Sequence, residues 1–135
     1  MRLLLLTLLA LAIPAADAES FAVVVSRTTP VEQLDVSRLR DIFLKRRNFS
    51  GRTRLYPVNL IGQESIRAQF EQHVLALSRE QINQYWIEQH FQGVTPPTTQ
   101  ASLASVKAFV HRVDGAIGYL PRDMIDDGLR VIYEF

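Results

Sequence analysis

The sequence predicts a single α/β domain, and three observations carry that prediction. Its 135 residues fit one domain and leave no room for a second large one. Apolar residues at 47% and charged residues at 21% match an ordinary globular chain and are too apolar and too mixed in charge for a disordered one. Along the chain, short β-branched runs alternate with segments of helical periodicity, the pattern of a sheet with helices on its faces.

Taken in order, Phe21-Ala22-Val23-Val24-Val25 is a β-branched apolar run closed by Ser26 and Thr28-Thr29-Pro30, which predicts a buried strand. Asp35 is placed to cap a helix in which Val36, Leu39, Ile42 and Phe43 share one face. Ser50-Gly51 marks a turn, and residues 54–60 read as a second strand whose Pro57 suggests an edge position or a bulge. From Gln63 to Leu77, Ile66, Phe70, Val74 and Leu77 recur at helical spacing. Ser78 and Gln81 form a capping box opening another helix, with Ile82, Tyr85 and Trp86, that ends near Gly93. Pro96-Pro97 to Ser102 reads as an extended linker, followed by a helix with Leu103, Val106, Val110 and Val113, capped by Asp114-Gly115. Strands are expected at 116–120 and 131–133. The expected core is Val24, Ile42, Phe43, Val58, Ile66, Phe70, Trp86, Val106, Val110 and Ile117, and Tyr85 and Phe91 are also read as packing aromatics rather than a stacking platform.

The first eighteen residues read differently. Arg2, an apolar run from Leu3 to Ile13, Pro14 and Ala16-Asp17-Ala18 follow the charged, apolar and A-x-A order of a secretory signal peptide cleaved after Ala18. The run is about half of the ~20 apolar residues that span a bilayer, so a membrane anchor is not expected. Residues 19–135 are then a mature, exported, periplasmic domain of 117 residues without a lipid-modified Cys, since the chain has no cysteine. Loss of Arg2 and Asp17 takes the basic count from 15 to 14 and the acidic count from 14 to 13. Bulk positive charge for nucleic-acid binding is absent.

Locally the balance is uneven. Arg38, Arg40, Lys45, Arg46, Arg47, Arg52 and Arg54 face Asp41 alone, and the cluster is read as complementing the negative C-terminal end of the helix that closes at Phe43. Attraction of an anionic ligand, a lipid headgroup or an acidic partner surface is the other reading, and Asp123, Asp126 and Asp127 are the candidate intramolecular counterpart. The three histidines, at 73, 90 and 111, lack metal-ligand spacing. Ser65 stands at a helix start without a G-x-S-x-G elbow or a base near it in sequence, so no catalytic residue, cofactor or metal is expected. Strand, Gly62 and a helix whose first turn holds Ser65 and Arg67 form a physical site for an oxyanion, although a cap and an Arg67–Glu71 ion pair would use the same residues.

Residues spread over nearly the whole mature chain resemble a known family. Leu39-Arg40-Asp41-Ile42-Phe43-Leu44, Tyr56-Pro57-Val58-Asn59, Arg67-Ala68-Gln69-Phe70, Phe91-Gln92-Gly93, Pro96-Pro97 and Gly115-Ala116-Ile117-Gly118-Tyr119 look like the phosphate-binding proteins of ABC importers. The chain is most similar to that family's short, signal-bearing, single-domain relatives in Gram-negative bacteria. The resemblance implies one lobe of a type II periplasmic-binding-protein fold, a mixed sheet with helices on its faces. It also implies a small oxyanion such as phosphate as ligand, and an ABC permease or another envelope protein as partner. Arg67 aligns with the family's helix Arg, while Gln63, Glu64, Ser65 and Ile66 replace its Gly-Ser-Gly-Thr run. The expected ligand-binding residues are therefore Gln63, Ser65 and Arg67, with Glu64 opposing an anion. With one wall of a two-lobed cleft, oxyanion binding is expected to be weak or lost. The alternative is a periplasmic protein-interaction or envelope-assembly module that reuses the lobe.

Overall fold

The computed structural model describes residues 20–62 and 65–135. The signal-peptide reading and the roles of Gln63 and Glu64 lie outside the described residues.

Strand β1 (Phe21–Ser26) is buried at every position and forms the second-from-edge strand of a five-stranded sheet. Helix α1 (Val36–Phe43) follows, its N-terminus capped by the Asp35 carboxylate, which accepts the Arg38 N–H at 2.8 Å. Leu39, Ile42 and Phe43 are the buried stripe of this helix, as their spacing requires. A two-stranded hairpin, β2 (Phe49–Ser50) and β3 (Thr53–Arg54), precedes β4 (Tyr56–Leu60). Helix α2 (Ser65–Phe70) runs into a single π-type turn over Glu71–Leu75 that ends at Ala76 in the left-handed region. Then come α3 (Arg79–Phe91), β5 (Thr98–Gln100), α4 (Leu103–Arg112), β6 (Ala116–Pro121) and β7 (Leu129–Glu134).

The sheet order is β5-β4-β6-β1-β7, with β4 parallel to β5 and β6, and β1 antiparallel to β6 and β7. Successive β6 side chains separate the two faces. A Cβ on Gly118 would stand 3.0–3.1 Å from Val58, Val106 and Val110, so glycine there lets α4 lie close on one face. On the other face Tyr119 stacks on Phe70 with ring centroids 4.1 Å apart, and Phe43 meets Phe70 edge-on at 4.6 Å. Thus α4 covers one side, and α1 and α2 cover the other. Gly115, at φ +81°, immediately precedes β6 where a Cβ would be 2.1 Å from the Arg54 carbonyl oxygen.

Several expectations are corrected by this arrangement. The linker after Pro97 contains β5, a polar three-residue edge strand without apolar alternation to reveal it. Pro57 sits on β4 inside the sheet rather than on an edge, but β5 pairs only with residues 58–60, so at Pro57 the strand has β6 as its single partner. The π-type turn buries Leu75 beside Val74 and leaves Leu77 half-buried, because the inserted turn rotates the apolar stripe. Trp86 is half-buried, not core, and Phe91 is 85% exposed. Asp126 pairs with Lys107 and His111, each at 3.2 Å, so this carboxylate is engaged by α4 and not by the basic segment after α1. In that segment the backbone N–H groups of Lys45, Arg46 and Arg47 donate to the last α1 carbonyls, Ile42 and Asp41, and so close the helix end.

Candidate functional site

In an open sheet, ligands bind beyond the carboxyl ends of parallel strands, where helices begin. Here those ends are Leu60, Gln100 and Pro121, with Phe21 of antiparallel β1 beside them. A cavity of 480 Å³ lies at this end of the sheet, between the starts of α2 and α4. Phe21, Leu60, Ser65, Ile66, Ser102 and Pro121 are among its walls. Ser65 therefore lines a cavity at the carboxyl end of the parallel strands. The start of α4 is already capped, since Ser102 Oγ accepts the Ser105 N–H at 3.1 Å. Among the described residues this cavity has no charged side chain, and those residues offer an anion hydroxyl and backbone donors.

Arg67 lies elsewhere. It lines a second cavity, of 670 Å³, between α3 and the Pro96-Pro97 segment that leads into β5. Its Nε donates to Glu71 Oε1 at 2.8 Å and its Nη1 donates to the Leu60 carbonyl at 2.9 Å. Arg79 also reaches Glu71 Oε1, at 3.1 Å, and its Nη2 donates to the Gly62 carbonyl at 3.4 Å. The Glu71 side chain is 7% exposed, so one buried carboxylate is shared by two guanidinium groups. The two arginines hold the carbonyls on either side of Ile61 and fix the end of β4. The ion pair foreseen as a competing use of Arg67 is present, with Glu71 one turn along the chain.

Of the expected site residues, then, Ser65 and Arg67 open on different cavities although two positions separate them, and Gln63 lies outside the described residues. The second cavity was not legible as a site. Its floor includes Asn59, whose Oδ1 accepts the Tyr119 hydroxyl at 3.1 Å, while the same Tyr119 oxygen accepts the Leu60 N–H at 3.2 Å. Burial pushes the Tyr119 phenol up to about 12, partly countered by the Leu60 N–H bond and the Arg67 charge. The walls are Trp86, Ile87, Phe91 and the two prolines. Aromatics at helical spacing signal packing, and here that signal hid a rim that is partly open to solvent. Among the described residues no group of His, Asp or Glu is arranged to hold a metal ion, and no helix is long and apolar enough to cross a membrane.

Neither a family model nor a curated protein matches the chain. Solved structures do. A protein described as a phosphate ABC transporter substrate-binding protein with bound phosphate, from Clostridium perfringens, superposes with a TM-score of 0.68 at 16% identity, over 84% of this chain and 44% of its own. An ABC-type phosphate transport receptor from Vibrio cholerae gives 0.66 at 17% identity over 84% and 45%, and PstS from Borrelia burgdorferi gives 0.64 at 10% over 84% and 46%. The chain spans less than half the length of each of these structures. It has the fold of a single periplasmic-binding-protein lobe, a mixed sheet with helices on both faces, and the structures it resembles are binding proteins rather than enzymes.

Proposed function

We propose that this chain is an exported, single-lobe binding module of the phosphate-receptor type, processed after Ala18, that carries no catalysis and in which oxyanion binding is weak or lost. The observation that supports this reading best is the separation of Ser65 from Arg67. Two of the three Arg67 nitrogens are committed to Glu71 and Leu60, and the cavity beside Ser65 lacks a cation among the described residues. The residual site comprises Gln63, Ser65 and Arg67, with Arg67 acting through its field rather than by a direct bond. Such a site, with one wall exposed to water, falls near millimolar affinity, on the order of 4 kcal/mol. An NMR titration of the processed protein with phosphate tests it: small shifts around Ser65 that do not saturate at low millimolar phosphate agree, and tight saturation disagrees.

A second reading, an envelope interaction or assembly module, is favoured by one observation. Ile87 and Phe91 are 55% and 85% exposed on one face of α3, which is unusual for side chains of that size. Adjacent genes separate the two: importer permease and ATPase genes favour a transport partner, and envelope-assembly genes favour the interaction module.

A further inference from the structure

The cavity between α3 and the Pro96-Pro97 segment combines three features that phosphate binding does not use. First, its walls are largely apolar, with Trp86, Ile87, Phe91 and Pro97 beside the polar Asn83, His90 and Thr99 around a volume of 670 Å³, within the ~300–1,000 Å³ typical of small-molecule sites. Second, Arg67 and Asn59, which both line it, each keep a donor without a hydrogen-bond partner among the described residues. One is Arg67 Nη2, left over once Nε and Nη1 are bound. The other is Asn59 Nδ2, turned from Tyr119 because the Tyr119 hydroxyl, already accepting from Leu60, gives its proton to Asn59 Oδ1. Third, Arg67, Arg79 and Glu71 together keep one positive charge, so one further negative charge would balance the cluster.

We infer that this cavity binds a small carboxylic acid with an apolar body, the carboxylate accepting from Arg67 Nη2 and Asn59 Nδ2 and the hydrocarbon part lying against Trp86 and Phe91. Inorganic phosphate is a poor fit, because it would bring a strongly hydrated ion with no apolar part against largely apolar walls. This inference does not rest on the phosphate reading, which takes only the field of Arg67 at the cavity beside Ser65.

Trp86 is the only tryptophan of the chain, so tryptophan fluorescence comes from a wall of this cavity. The test is a titration of the processed protein with octanoate and with its neutral analogue octanamide, followed through Trp86. The expected result is a saturable change with octanoate, at least tenfold weaker binding of octanamide, and no displacement by 10 mM phosphate. Asn59→Asp, which keeps the acceptor for Tyr119 and adds a repelling charge, should abolish octanoate binding. Phe91→Ala, at an exposed position that the fold does not need, should weaken it about threefold or more. Equal binding of acid and amide, no saturable Trp86 response, displacement by phosphate, or unchanged affinity in Phe91→Ala would overturn the inference. Phosphate binding that leaves Trp86 unmoved bears on the site at Ser65 and not on this one.

Discussion

Glu71 Oε1 lies 2.8 Å from Arg67 Nε, and that contact decides what the arginine can do. The helix arginine is turned from the cavity beside Ser65 into an ion pair whose carboxylate is nearly dry. Removing the carboxylate would leave Arg67, 14% exposed, without its ionic partner. Glu71→Ala should therefore destabilise the domain by about 3 kcal/mol, near the low end for a broken buried pair because Arg79 is partly solvated. Glu71→Gln, which keeps an acceptor, should cost clearly less. Urea denaturation of the two variants checks the order, and equal losses would mean that the charge is not what matters.

Phe70 is fully buried between Tyr119 and Phe43. Phe70→Ala should cost ~3–5 kcal/mol, a large share of the stability of a small domain. An unchanged denaturation midpoint would contradict the packing of α2 on the sheet.

Gly115→Ala addresses the backbone. The substitution puts a Cβ 2.1 Å from the Arg54 carbonyl oxygen at a left-handed φ of +81°, so the start of β6 must move. The expected loss is at least about 1–3 kcal/mol. Gly51→Ala, at φ +59° with open space around it, should lose less than Gly115→Ala in the same thermal melt.

The Tyr119 phenol, raised by burial from 10.0 to about 12, gives a pH dependence. The folded state holds this proton more tightly than the unfolded chain, so the associated stability is complete below pH 10 and is lost as pH rises towards 12. Tyr119→Phe loses the bond to Leu60 at neutral pH, about 1–3 kcal/mol for an unsatisfied buried N–H. The gap between wild type and variant should shrink between pH 9 and 11.5. A constant gap would contradict the burial of the phenol.

Much of this architecture was legible in the sequence because local chemistry and burial agree. Asp35, Ser78 with Gln81, and the Leu39–Ile42–Phe43 stripe each state a helix in terms the structure repeats. The strand β5 was not legible, since Thr98 and Thr99 are exposed, Gln100 is half-buried and the pairing with β4 is a tertiary event. For the site, Ser65 and Arg67 looked like one constellation because neighbours in sequence were read as neighbours in use. On a helix, residues two apart point roughly 200° away from each other, and that rotation sends them to different cavities. The groove at Trp86 was read as packing, because helical spacing cannot tell a covered face from an open one.

Isothermal titration of residues 19–135 with phosphate tests the central claim most directly. A single lobe whose arginine is held by Glu71 predicts no binding, or a Kd no tighter than about 1 mM. A Kd in the micromolar range with one phosphate per chain would contradict it.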